Sequence, residues 1–455
     1  VAIFSSTSLL ALQQKTTRMA IISEQLVLSL AGLGVIAICC CIRKIGFFRI
    51  VSQLGYAVSI GLLSILALHI SAGPIKALYI NHAWRIVSVF GFQVHVFEVV
   101  KVAMIMYLAW AVNAFRNDSF VIANLLGEKH PFWEKPIVKK FVYIYIPICS
   151  VCLIMMMGSL SSTVFIGGMM FITILIGGIS VKELVKPVTA LVLFLGVIAF
   201  IDSNRDGKKL FPHLDSAIGR VTGAGTEDNL KIIRESPRNS KEFQDALDDI
   251  KQPISAKIAI HEGNLIGKGP GRSTQRYVVP IMFEDYMYSF IVEEYGLFGG
   301  LFVIILYISL LARGSIIVRN CDNHFAKTAV AGLVLLITCQ AMMHIAINCD
   351  MGPLTGQTLP MISHGNSSFL MFSLAFGIIL SISKMAKRKI AREAAKAEPL
   401  VDRVIKDEVS SGLDDLDQME SGLSVRDDVI TGQDEEAPTH ENDIPDYGID
   451  DHNNE

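Results

Sequence analysis

"EDYMYSFIVEEYGLFGG" occupies residues 284–300 and runs directly into "LFVIILYISLLA" at 301–312. The apolar part has the length and composition of a helix that crosses a bilayer, for which about 20 apolar residues suffice. Its opening half nevertheless carries Glu284, Asp285, Glu293 and Glu294. A carboxylate at the centre of a bilayer costs roughly 3 kcal/mol or more, so these side chains must face protein or water. The segment therefore belongs inside a bundle of helices.

The rest of the chain supplies that bundle. Of 455 residues, 51% are hydrophobic and 18% charged, and the mean hydropathy is +0.47. A soluble protein would carry about a quarter charged residues. The apolar residues fall in blocks separated by short polar stretches, the pattern of a multi-pass helical membrane protein. Candidate spans lie near 22–41, 51–70, 92–114, 141–157, 164–179, 187–202, 285–312, 326–348 and 366–383. The stretch "VAIFSSTSLLAL" at 1–12 reads as the last turns of one more helix, which predicts about ten in the parent chain, the first of them truncated here. A signal peptide is the other reading of 1–20, but the basic n-region is missing.

Lysine and arginine orient the spans. Arg43, Lys44 and Arg49 share one connection; Arg116, Lys129, Lys135, Lys139 and Lys140 share another. Lys182 and Lys186, then Arg313, Arg319 and Lys327, then Lys384, Lys387, Arg388 and Lys389 continue the alternation. These connections are expected in the cytoplasm, which puts the long segment 203–284 outside. The net charge of −3 combines this basic membrane part with an acidic tail. The tail, 391–455, has too few apolar residues to form a core and is expected to be a disordered cytoplasmic extension. The eight cysteines lie in or beside apolar blocks, so a disulfide framework is not expected. The Cys149-x-x-Cys152 spacing reads as helix surface.

Four stretches carry candidate chemistry. In the first, Asp285, Ser289, Glu293, Gly296 and Gly300 fall on one side of a helix, a small and polar side suited to packing on other helices. Glu294 points away from Asp285, which requires protein on that side too or a protonated carboxyl. Asp285 sits at the outer mouth, where polar substrate can arrive. Its plain structural reading is a first-turn acid favoured by the helix dipole. In the second, Glu98 and Lys101 stand at i and i+3 and can pair within one helix. They serve either as a structural ion pair or as a cation held near an anionic substrate, to which Arg85 in the preceding outer loop can add a second positive charge. The third, "CDMGPLTGQTLPMISHGNSSF" at 349–369, is too polar for lipid and too rich in Gly and Pro for helix, so it is expected to fold back into the outer cavity. His364 there reads as an ordinary hydrogen-bonding residue. The fourth, "HEGNLIGKGPGRSTQR" at 261–276, combines glycines with Lys268, Arg272 and Arg276. It can hold phosphate through backbone N–H groups and cations or can be a plain turn-rich loop, and it lacks the spacing of a Walker loop.

Taken in order, "AKIAIHEGNLIGKGPGRSTQR", "FEDYMYSFIVEEYGLFGG" and "NCDMGPLTGQTLPMISHGNSSF" resemble the SEDS family, the FtsW/RodA/SpoVE group. "GFQVHVFEVVK" at 91–101 resembles the family stretch that ends in the Glu and Lys of its fourth helix. The resemblance covers about residues 1–390, and "GKGPG…STQR" and "TGQTLP" look most like the FtsW branch of Bacteroidetes type. It implies an all-α SEDS bundle acting as a peptidoglycan glycosyltransferase that joins lipid II units at the outer face of the bacterial inner membrane, in septal wall synthesis. The family's essential Asp matches Asp285. Substrate contacts are implied at Arg85, Glu98, Lys101, Lys268, Ser273, Gln275, Asn348, Thr358, Ser363 and Ser367. A divalent cation (Mg²⁺ or Mn²⁺) can assist. Expected partners are a class B penicillin-binding protein and other division proteins, not nucleic acid. An elongation polymerase, a lipid II flippase and a non-catalytic scaffold are the alternatives. The chain departs from the family at His95-Val96-Phe97, where Gln-Pro-Ser is usual, and at His364-Gly365-Asn366, where Tyr-Gly-Gly is usual.

Overall fold

The computed structural model describes residues 18–80, 83–120, 130–183, 224–278, 282–352 and 356–392, apart from Asn239 and Asn366, with scattered positions at 124 and between 185 and 200. The helices are α1 (Arg18–Cys41), α2 (Ile45–Ala67), α3 (Val96–Arg116), α4 (Pro136–Gly158), α5 (Leu160–Ile176), α6 (Ala224–Glu235), α7 (Lys241–Gly263), α8 (Met287–Arg319), α9 (His324–Asn348) and α10 (Ser367–Arg392). Six of them, α2, α3, α4, α8, α9 and α10, are long and apolar enough to cross a membrane, and α5 and residues Gln25–Cys41 of α1 are shorter apolar helices. The chain is a multi-pass helical membrane protein. The expected span at 187–202 falls largely outside the described residues, and the tail beyond Arg392 wholly so.

α3 is the centre of the bundle, buried on nearly every face and packed against α2, α5 and α9. Small residues allow the close approach. A Cβ at Gly332 of α9 would lie 2.6 Å from Ile105 of α3 and 3.1 Å from Thr173 of α5. The basic connections meet one another at one end. Arg49 donates to Asn323 (3.3 Å), Arg116 meets His324 (3.3 Å), Lys139 pairs with Asp118 (2.5 Å), and Lys140 pairs with Glu183. Contacts joining Gln357 to Ser162 and His95 to Ser367 collect at the opposite end. The charge alternation in the sequence thus corresponds to two physical ends of the bundle.

Two features depart from an uninterrupted all-helical reading. Residues 71–80 and 83–95 form an antiparallel sheet with strand order β1 (Ser71–Ala72), β2 (Ile75–Ile80), β3 (Ala83–Val89) and β4 (Phe92–His95). The span expected from 92 therefore starts at Val96, and Arg85 lies on β3 rather than in a loop. The turn between Val89 and Phe92 places Phe90 and Gly91 at φ 52° and 87°, the positive-φ pair of a tight two-residue hairpin. Phenylalanine rarely takes such a conformation, so the turn carries no Asn-Gly signal. The second departure is in α8, where Gly296 (φ 71°, ψ −174°) breaks the helix. The polar side expected to run from Asp285 to Gly300 therefore ends at the break.

Candidate active site

At its centre is Lys101. Its ammonium donates to Glu98 (2.7 Å), to Gln340 of α9 (2.7 Å) and to Gln357 of the 356–365 segment (2.8 Å). An ammonium has three N–H donors, and all three are engaged by protein. Gln357 passes its own amide to Ser162 of α5 (2.9 Å), and Gln340 to the Thr358 carbonyl (3.0 Å). Glu98 and Lys101 therefore anchor a buried segment that folds back into the bundle; they do not present an open cation to a ligand.

That segment delivers Gly356 beside Asp285. From the position of a Cβ at Gly356 (φ 60°), Arg85 Nη1 lies 3.6 Å away and Asp285 Oδ2 3.9 Å away. Asp285 closes the single turn Met282–Asp285, just before α8. It is not the N-cap of that helix, because Tyr286 takes that place and no side chain caps it. Burial pushes the Asp285 carboxyl up to about 6, against the lowering influence of the Arg85 charge. Burial, with the neighbouring Asp285, pushes Glu284 up to about 8. Two polar residues fix the backbone here: Asn348 donates to the Asp285 carbonyl (3.2 Å), and Ser363 to the Glu284 carbonyl (2.8 Å). Asn348 also accepts from the Ser289 N–H (3.0 Å) and hydroxyl (2.8 Å).

Of the expected site residues, Arg85, Asp285, Asn348 and Ser363 come together here, with Glu98, Lys101 and Thr358 linked through the folded-back segment. The Thr358 hydroxyl is buried and makes no hydrogen bond among the described residues. Ser367 accepts the His95 N–H (2.7 Å) at the foot of α3. Lys268, Ser273 and Gln275 belong to a different cluster, around Glu293. That carboxylate accepts from Lys268 Nζ (2.8 Å), the Ser273 hydroxyl (2.5 Å), the Thr274 N–H (2.8 Å) and hydroxyl (3.0 Å), and the Gln275 N–H (3.4 Å). The glycine-rich loop is thus fastened to α8 by the carboxylates that made the sequence unusual: Glu294 also accepts the Gly271 N–H (2.9 Å). Gln340, His344 and Gln357 escaped the sequence reading. The first two stand eight and four residues before Asn348 in an otherwise apolar helix, and that stripe is the signal that points to them. His344 meets the Gln357 carbonyl (2.7 Å) through Nδ1 and accepts the Tyr288 N–H (3.4 Å) at Nε2.

A multi-pass bundle that holds a charged pair, a folded-back polar segment and a carboxylate at the end opposite the basic connections defines a membrane-embedded protein with a polar site at one end. The chain belongs to the FtsW/RodA/SpoVE family, whose model, described as "Cell cycle protein", matches residues 1–388. It is 30% identical over 319 residues to the "Probable peptidoglycan glycosyltransferase FtsW" of Bacillus subtilis, covering 70% of each chain. With the protein of the same description from Caulobacter vibrioides it shares 38% identity over 134 residues, 30% of this chain and about a third (34%) of that relative's length. Among solved structures, a chain from "Structural coordination of polymerization and crosslinking by a peptidoglycan synthase complex" has the same fold. It superposes with a TM-score of 0.53 at 16% identity, over 84% of this chain and 96% of that one.

Proposed function

We propose that the chain polymerises lipid II into glycan strands at the outer face of the bacterial inner membrane, in division-associated wall synthesis, together with a class B penicillin-binding protein and other division proteins. The observation that carries this reading is the placement of Asp285 beside Arg85 and Gly356, with its carboxyl pushed up to about 6. A base poised near the working pH is what proton abstraction from a sugar hydroxyl requires. Asp285 takes the proton of the acceptor GlcNAc 4-hydroxyl as that oxygen bonds to C1 of the donor MurNAc. The C1–O bond to undecaprenyl pyrophosphate breaks on the opposite side, with inversion, and the leaving group departs as an anion. Arg85 supplies positive charge there. Lys101 contributes by position, since it holds the segment that carries Gly356 and the Thr358 hydroxyl.

A divalent cation fits this arrangement in a limited way. Among the described residues no three His, Cys, Asp or Glu side chains converge. The described carboxylates do not form a site for an ion, which would be held mainly by phosphate oxygens of the substrate and by water, a ligand set that suits Mg²⁺ or Mn²⁺. When bound it would neutralise the departing pyrophosphate.

The test is polymerisation of purified lipid II, read as glycan length on a gel, with and without the transpeptidase. Asp285→Asn should reduce polymer about 100- to 10,000-fold, the range of a general base. Fold stability should not suffer. The folded-state pKa is raised, so the stability cost of the ionised carboxyl grows as pH rises from 3.8 to about 6 and is fully present above that, and the amide removes it. Near-normal polymer from a well-folded Asn variant would eliminate Asp285 as the base.

A further inference from the structure

The break at Gly296 is filled by another part of the chain. In an unbroken helix the Leu297 N–H would donate to the Glu293 carbonyl and the Phe298 N–H to the Glu294 carbonyl. Here Leu297 donates to the Asn264 carbonyl (2.9 Å) and Phe298 to the Leu265 carbonyl (3.3 Å). The two carbonyls left behind accept from Lys268 (2.9 Å) and Gly269 (2.9 Å). Residues 264–269 thus replace both missing helix bonds, two donors for two and two acceptors for two. The fit leaves no room for side chains. A Cβ at Gly296 would lie 2.2 Å from the Leu265 carbonyl oxygen, one at Gly267 2.4 Å from that of Glu294, and one at Gly263 2.2 Å from that of Val292. Beyond the inserted backbone, the fully buried Glu293 carboxylate collects the donors of Lys268, Ser273, Thr274 and Gln275.

The outer part of α8, Met287 to Tyr295, is therefore a short body of its own. Asp285 lies immediately before it. On one side it is held by His344 and Asn348 of the fixed helix α9; on the other it is held by the inserted loop. We propose that Glu293 is a positioning residue for Asp285: by anchoring residues 264–275 in the helix break it fixes the outer segment of α8, and so sets the Asp285 carboxyl against Arg85 and Gly356. This rests on the reading of Asp285 as the base, but the geometric claim can be tested without turnover.

Glu293→Gln keeps the size of the side chain and replaces a multiple acceptor by a group that is half donor, so the loop loses its anchor. The experiment uses the full chain in lipid nanodiscs with two readouts: amide hydrogen exchange over 264–275 and 287–298, and the pH midpoint for labelling Asp285 with an apolar carbodiimide, which reacts with the protonated carboxyl. The proposal expects at least tenfold faster exchange in both peptides, unchanged exchange in α3, and a displaced Asp285 labelling midpoint. Unchanged exchange would overturn it, as would faster exchange with an unmoved midpoint, which would make the insertion a local brace only. If Glu293→Gln does not fold, Thr274→Ala, which removes one donor, is read the same way with a smaller displacement. In polymerisation the variant should lose kcat with KM for lipid II little changed. A displaced midpoint in a protein whose wild type makes no polymer would reject the proposed function and leave the positioning role standing.

Discussion

Lys101 and Glu293 are both buried charges with an opposite partner, and the fold uses them in opposite ways. Lys101 is a cation whose three donors go to acceptors from three places: its own helix, α9 and the folded-back segment. Glu293 is an anion whose acceptors are filled by one loop. In each case the hydrogen-bonding capacity is used up within the protein, and the group's effect is to pin a non-helical segment to a helix. Asp285 belongs to neither cluster and differs from both. Among the described residues its carboxyl is held by the charge of Arg85 rather than by hydrogen bonds. A saturated buried charge builds structure, and a carboxylate left with capacity can do chemistry.

The largest effect that would break this comparison is at Lys101. Lys101→Met leaves the Glu98 carboxyl facing the oxygens of Gln340 and Gln357 with no donor between them, and removing one member of a buried pair costs about 3–5 kcal/mol. Lys268→Met should cost less. Its side chain is 23% exposed, and Glu293 keeps the donors of Ser273 and Thr274. Thermal unfolding of both variants in the same detergent measures the difference. Equal losses would mean that the two clusters do not differ in this way. Adding Glu98→Gln to Lys101→Met should recover part of the loss, because the stranded charge is gone.

A smaller effect sharpens the contrast with Asp285. With Asp285 as the proposed base, the carboxyl must be ionised to act, so polymerisation should fall as pH drops through about 6. Arg85 lowers that value, so Arg85→Gln should move the acid limb upward, by up to about one unit given the loose contact. That is worth about 1.4 kcal/mol. The rate of polymer formation between pH 5 and 8 tests it; an acid limb that stays in place or moves down would show that Arg85 does not act on Asp285.

Much of this was legible in the sequence, and what was not has physical causes. Apolar runs and basic connections mark the spans because hydrocarbon permits little else. Glu98 and Lys101 announce themselves because charge inside an apolar helix demands a partner at helical spacing. Glu293 and Glu294 were legible as anomalies, but their partners lie some 20 residues upstream in a loop, and nothing local states that a glycine break will accept it. The glycines at 263, 267 and 296 fit one another only in three dimensions. The sheet at 71–80 and 83–95 was missed because Phe90-Gly91 is not a usual hairpin pair, and because "FQVH" continues into an apolar helix without a break in hydropathy. Gln340 and Gln357 were missed for a different reason: a neutral amide in an apolar context looks ordinary until a buried ammonium is seen between two of them.

The smallest expected effect concerns an ion pair that neither pins a buried segment nor touches the site. Lys257 of α7 meets Asp350, just past α9, at 2.5 Å, with side chains 48% and 60% exposed. By sequence position it resembles the other clusters, since it ties α7 to the end of a membrane helix. By exposure it does not: water solvates both partners when the bond opens, and exposed pairs contribute about 0–1 kcal/mol, less as salt rises. Lys257→Ala should therefore change thermal stability by less than about 1 kcal/mol, and the small difference should vanish in high salt. Asp285 labelling and polymer length should be unaffected. If Lys257→Ala instead matched the loss at Lys101→Met, burial would not be what separates structural from incidental charge in this bundle, and the distinction drawn between Lys101, Glu293 and Asp285 would lose its physical basis.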